Sequence, residues 1–154
     1  MVWASGGKNL KNTANYDTTV TSEEPLPEFF KLKLKFIEMN SKDIVIGLAK
    51  KKFNCLKSER SYLTDVEAEN GEYGYDPKSN GYKFSCKNKQ ENYGDTCEVG
   101  DILSIVYKED KTISFKRNKK DMGVAFSDVE GPFYLAASIF RNATNLEIIS
   151  CKAL

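Results

Sequence analysis

The sequence predicts an all-β fold, an antiparallel sandwich or barrel, and three observations predict it. Phe30-Lys31-Leu32-Lys33-Leu34-Lys35-Phe36 alternates apolar and basic residues without a break, the period of a strand with one face on a core and one in water. Short apolar runs recur along the chain, separated by polar turn sequences, as they do in sandwiches and barrels. No segment keeps apolar residues at three-four spacing long enough for a long helix.

Taken in order, residues 1–15 are polar and rich in Gly and Asn; they read as a loose terminus or a structured loop. The strand at 30–36 follows. Its lysines are expected to form a solvated face and to guard against edge pairing, with a basic ligand patch as the sharper alternative. Ile44-Val45-Ile46-Gly47-Leu48 is a continuous apolar run, short enough for a strand buried on both faces. Residues 50–72 show no clear period and read as long loops, where binding tends to sit. Further strands are expected at Asp101–Tyr107, Thr112–Phe115, Phe133–Ile139 and Leu146–Ile149. Turns are expected at Glu69-Asn70-Gly71, Ser79-Asn80-Gly81, Lys108–Lys111 and Arg117–Lys120.

Composition narrows the chemistry. A length of 154 residues suits one domain. Lys and Arg total 23 against 22 Asp and Glu, a net charge of +1, so bulk charge gives no reason to expect nucleic acid or a membrane as partner. Only Arg60, Arg117 and Arg141 are arginines, and bidentate phosphate recognition favours Arg over Lys. There is no histidine, which removes Ser-His-Asp and Cys-His nucleophile pairs, His-ligated zinc and the usual general base. Cys55, Cys86, Cys97 and Cys151 form no C-x-x-C, so zinc-ribbon and thioredoxin-like readings fail on spacing. All four are expected to be free thiols in a reducing compartment, and a cytoplasmic location is expected. No apolar run approaches the roughly 18 residues of a membrane span.

A family resemblance emerges from the order of motifs after Gly100. Gly-Asp-Ile-Leu-Ser-Ile-Val-Tyr is followed by Thr-Ile-Ser-Phe-Lys-Arg-Asn, then Met-Gly-Val-Ala-Phe-Ser-Asp, then Phe-Tyr-Leu-Ala-Ala-Ser. This succession resembles the C-terminal half of a SPRY domain, with its Gly-Asp strand start, "isFxxN" hairpin, "lGxAF" and "YPxv" elements. Upstream, Ile46-Gly47-Leu48 is similar to the family's "iGl" strand, and Tyr73-Gly74-Tyr75-Asp76 to its aromatic-Gly-aromatic-Asp element. Val20 to Pro27 followed by Phe30 resembles the "VRxxxPIP" opening; with Tyr-Gly-Tyr it stands nearest the SPRY domain of Ran-binding protein M. The resemblance covers roughly residues 17–150, so 1–154 is expected to be a single SPRY domain whose first 16 residues contribute a loop. Lys119 stands where the family usually has Gly after the hairpin Asn, so Asn118 is expected to take up a left-handed conformation.

What the resemblance implies is a bent antiparallel β-sandwich of the lectin-like kind that binds a protein or peptide and catalyses nothing. No cofactor, metal, nucleic acid or membrane is implied, and a monomer is expected. Many such domains select substrates for ubiquitin ligases or serve signalling scaffolds. In peptide-binding members the contact platform draws on three places. These correspond to Asn12, Thr13 and Ala14; to Tyr62, with Leu63 beside it; and to Ile139, Phe140 and Arg141. Aromatic residues and Arg dominate binding hot spots, so Phe140-Arg141 at a strand end reads as an exposed anchor pair or as a core cap. Two other classes compete. A lectin-like sandwich with stacking aromatics and Asn-rich loops would hold a sugar, although fold analogy is a weak warrant for function. A sandwich glycosidase needs two facing carboxylates, and Glu67 and Glu69 do not form an argued pair.

Overall fold

The computed structural model describes residues 2–3, 9–12, 18–40, 44–50, 54–55, 72–85, 91–139 and 144–154. Among these residues fourteen strands make two seven-stranded sheets, and there is no helix. The strands are β1 (Val2–Trp3), β2 (Asn9–Asn12), β3 (Thr18–Thr21), β4 (Phe30–Met39), β5 (Ile44–Ala49), β6 (Asn54–Cys55) and β7 (Glu72–Tyr75). They continue as β8 (Tyr82–Ser85), β9 (Glu91–Asn92), β10 (Ile102–Tyr107), β11 (Ile113–Arg117), β12 (Lys120–Phe126), β13 (Tyr134–Ile139) and β14 (Thr144–Ala153). The first sheet runs β1-β2-β14-β4-β10-β11-β12 and the second β6-β3-β13-β5-β7-β8-β9. All pairings are antiparallel.

The core lies between the sheets, because each sheet turns one apolar set of alternating side chains inward. Phe30, Leu32, Leu34 and Phe36 of β4 are at most 1% exposed, and Ile44, Ile46 and Leu48 of β5 are fully buried. Phe115, Phe126 and Phe133 join them. Strand β5 is buried along its whole length. Its other face packs Val45 and Ala49 with Phe84 and Ala136 into a second cluster.

The backbone accounts for two glycines and meets the expectation at Asn118. Gly47 lies so near its neighbour strand that a Cβ there would meet the Tyr73 carbonyl oxygen at 1.7 Å. No side chain fits, hence glycine. Gly123 has φ 88° with open space around it, so its role is backbone freedom rather than packing. Asn118 adopts φ 53°, the left-handed conformation that Lys119 was expected to force on it.

One expectation is corrected. Strand β4 was expected to need edge protection, yet it is the middle strand of its sheet, paired to β10 on one side and β14 on the other. Alternation reports which face of a strand meets water and says nothing of its neighbours. Strand β14 extends past its expected bounds, and β2 arises where no strand was expected, for a related reason. Polar Ser150 and Lys152 in β14 pair with β4, and Asn9–Asn12 pairs with β14; both follow a partner strand rather than an apolar pattern of their own.

Candidate functional site

The register places several chain crossings at one end of the sandwich. Thr144, which starts β14, lies opposite both Asn12 at the end of β2 and Met39 at the end of β4. In the other sheet Ile139, which ends β13, lies opposite both Thr18 and Ile44, the starts of β3 and β5. The chain therefore crosses between the sheets after Asn12, after Met39 and after Ile139 from strand ends that stand side by side.

Against that frame the expected site residues divide. Asn12 ends β2 in this group. Thr13, Ala14, Phe140 and Arg141 lie outside the described residues, but the strand ends that flank them converge at this end. Tyr62 and Leu63 also lie outside the described residues. Their segment follows Cys55, which sits opposite Thr19, and β6 runs antiparallel to β3, so the chain leaves β6 heading toward the same end. Ile139 is fully buried at an inward position of β13.

The described part of this end is held by polar contacts. The Asp76 carboxylate accepts hydrogen bonds from the backbone N–H groups of Lys78 and Ser79, both at 2.9 Å, an Asx turn that closes residues 77–80. Lys78 Nζ reaches across to donate to the Met39 carbonyl at 2.7 Å. Nearby, the Asp101 carboxylate accepts from Arg117 Nε at 2.8 Å, from Asn118 Nδ2 at 3.0 Å and from the Glu98 N–H at 2.8 Å. Asn118 Oδ1 in turn accepts from Ile102 N–H at 2.9 Å. Burial pushes the Asp101 carboxyl upward, but the bonds from Asn118, Glu98 and Arg117 outweigh it and hold the group below its ordinary range.

Beneath this end, Tyr75 packs against Tyr93 and Phe115 with ring centroids 5.8 and 5.1 Å away. Burial raises the Tyr75 phenol far above its usual range and pushes Tyr93 up to about 12. Cys97, buried and free, is likewise pushed up to about 12, first by burial and then by the Asp101 charge. These groups stay protonated at neutral pH and serve as packing. Cys151 is the other free thiol among the described residues; Cys55 and Cys86 carry expectations whose side chains lie outside them. No His, Cys, Asp and Glu grouping among the described residues could hold a metal.

The opposite end is aromatic. Tyr107 packs against Phe29, Phe30 and Phe133 with centroids 5.4, 6.0 and 5.0 Å away, and its hydroxyl donates to the Val129 carbonyl at 2.8 Å. A cleft of about 360 Å³ opens beside it, lined by Glu28, Phe29, Lys111, Glu130 and Pro132 among others. Lys111 spans it, 3.3 Å from Glu130 and 5.1 Å above the Phe29 ring. A second hollow, about 300 Å³ and apolar, lies under the Ser22–Pro27 segment against Leu135, Ile148 and Cys151. Neither concavity was visible in the sequence, since the residues that line each come from separate stretches of the chain.

Comparison with known proteins decides the family. A profile of the SPRY domain matches residues 29–151. The chain belongs to the SPRY domain family. That family consists of protein-interaction modules that generally bind proteins or peptides and are generally non-catalytic. Among solved structures the SPRY chain is similar to the SPRY domain of human HERC1, at 16% identity and a TM-score of 0.72, covering 94% of this chain and 89% of that one. It is similar to a second human SPRY domain at 13% identity and a TM-score of 0.71, covering 94% and 92%. The NEUZ (NHR) domain of Neuralized from Drosophila melanogaster matches at 14% identity and a TM-score of 0.55, covering 96% and 94%. At these identities the likeness concerns the fold. No curated protein sequence matches the chain.

Proposed function

We propose that this SPRY domain is a non-enzymatic recognition module that binds a short peptide or a folded protein at the end of the sandwich where β2, β4 and β13 hand the chain across. The observation that carries the reading is the register at Thr144 and Ile139, which brings the flanks of Asn12–Ala14 and of Phe140-Arg141 together from opposite ends of the sequence. In this reading Phe140 and Tyr62 supply rigid apolar contact area, and Arg141 and the Asn12 amide orient a polar or acidic ligand group. The domain works as a cytoplasmic monomer, as the substrate-selecting or scaffold part of a ubiquitin-ligase or signalling assembly. Its grouping with Ran-binding protein M rests on the Val20–Pro27 opening and on Tyr73-Gly74-Tyr75.

The test pairs two measurements on one variant. A partner is first captured from the source cell and identified by mass spectrometry. Phe140→Ala should then weaken its binding by about 2 kcal/mol or more, as a hot-spot anchor does. Folding stability should fall far less than the roughly 3–5 kcal/mol of a buried Phe. A large stability loss makes Phe140 a core cap, and unchanged affinity moves the contact surface elsewhere. Selective binding on a glycan array would overturn the protein-ligand reading in favour of a lectin.

A further inference from the structure

We propose that the cleft at the aromatic end of the sandwich is a second binding site, remote from the loop-bearing end, and that it takes one arginine side chain of a partner protein. The cleft is an open concavity of about 360 Å³, near the lower limit of small-ligand sites at roughly 300 Å³. It has room for one long side chain and not for a stretch of chain. Phe29 forms one wall. Its ring packs on Tyr107 at 5.4 Å and its carbonyl accepts from the Leu154 N–H at 3.0 Å, so the wall is fixed in place. Two carboxylates, Glu28 and Glu130, line the same cleft. Both residues are exposed, and Glu28 makes no ion pair or hydrogen bond with a described residue.

Lys111 shows what the cleft holds. Its ammonium stands 3.3 Å from a Glu130 oxygen and 5.1 Å above the Phe29 ring, a cation between an anion and an aromatic face. Desolvation works against that charge, yet the Glu130 contact and the charges of Glu130 and Glu28 overcome it and raise the Lys111 pKa. The cleft therefore favours positive charge even with solvent near. The lysine also strains its own backbone: φ is 64°, a conformation that suits Gly or Asn better. That backbone is pinned, since its N–H donates to the Lys108 carbonyl at 2.9 Å and its carbonyl accepts from the Val129 N–H at 3.1 Å. The side chain alone is free to swing out. Lys111 is thus an internal occupant that a better cation displaces. The lining sets two carboxylates against one ammonium, and against none once Lys111 has left. A guanidinium is the better cation. It is flat, stacks on an aromatic face, binds carboxylates through parallel N–H bonds and sheds water more easily than an ammonium. Nucleic acid and anionic lipid fit poorly, because Glu28 and Glu130 repel phosphate. A metal ion fits poorly, since no grouping of three ligating side chains stands among the described residues.

The test titrates the blocked peptide acetyl-Gly-Ser-Arg-Ser-Gly-amide into the full chain labelled with nitrogen-15 and follows backbone amide shifts. Saturable shifts are expected at Phe29, Lys111, Glu130 and Gly131. Glu130→Gln should weaken binding by about fivefold or more. Lys111→Gly, which suits the turn and empties the cleft, should tighten it by about threefold or more, and Lys111→Gln should act in the same direction. Lys108→Gln removes a positive charge from the same hairpin without touching the cleft, and Glu98→Gln removes a negative one from the loop-bearing end; each should change affinity by less than about twofold. Thermal melts of the variants should match the parent, since the substituted side chains are open to solvent. The proposal is overturned if no saturable shifts occur, if both Lys111 variants bind no tighter than the parent, or if Glu130→Gln and Glu98→Gln have equal effects. It is also overturned if the peptide with Glu in place of Arg binds as well, or if spermidine shifts the same amides at lower concentration than the peptide. Shifts confined to the flanks of Asn12 and Ile139 would overturn it too, by placing the arginine at the loop-bearing end. Phe140 plays no part in this test, so its result stands apart from that of the loop-end reading.

Discussion

The two ends of the sandwich are finished differently. At the loop-bearing end polar contacts close the turns above the buried Phe36, Ile44, Ile139 and Leu146: Asp76 with the Lys78 and Ser79 amides, Lys78 with the Met39 carbonyl, and Asp101 with Arg117 and Asn118. At the other end Tyr107, Phe29, Phe30 and Phe133 interlock. Hydrogen-bonded turns fix backbone positions while leaving side chains above them free to meet a ligand; a ring cluster spends its side chains on one another. The division suits a module that must keep a rigid base at one end and adaptable contacts at the other.

The largest expected effect comes from the aromatic end. Tyr107→Ala removes a ring that is 1% exposed and touches three others. It should cost roughly 3–5 kcal/mol in denaturant unfolding, and a loss below about 1 kcal/mol would show the cluster to be loosely packed. Tyr107→Phe keeps the ring and leaves the Val129 carbonyl without its donor, so about 1 kcal/mol is expected.

Asp101→Asn should cost about 1 kcal/mol near neutral pH, since the site is close to the surface. Here pH sharpens the contrast. The folded-state carboxyl is held below its ordinary value of 3.8, so its stabilisation is present above that value and disappears as pH falls through the folded one. Parent and Asp101→Asn should therefore converge in acid, while the deficit of Tyr107→Ala persists. A parallel pH dependence in both variants would contradict the division between the ends. The smallest effect belongs to Lys78→Met, expected within about 0.5–1 kcal/mol, with any larger loss marking the Met39 tether as essential.

Part of this was legible in the residues themselves. Alternation at 30–36 and the unbroken run at 44–48 announced one half-exposed and one doubly buried strand, because side-chain period follows directly from the pleat. Asn118 was legible because Lys119 leaves no glycine to adopt the left-handed turn. Strand β2 was not, since Leu10 is its single apolar residue and its pairing with β14 comes from the far end of the sequence. The centrality of β4 was hidden for the same reason. In the candidate site, the burial of Ile139 was not legible, because being at a strand's last position says nothing about which face it takes. Its neighbours Thr18 and Ile44 show the strand still fully paired there.

The pairing of β14 has a consequence for how the domain is made. Leu146 lies between Leu10 and Phe36, so a late segment is inserted between two early ones. A chain emerging in order cannot finish this sheet until residues 144–153 are available, and β2 has no described neighbour but β1 until then. Contacts so distant in sequence slow folding, placing such topologies in the millisecond-to-second range. Assembly is thus expected to be late and concerted: β10, β11 and β12 form a meander that β4 joins across the sheet, and the arrival of β14 recruits the N-terminal strands in the same step that completes the loop-bearing end.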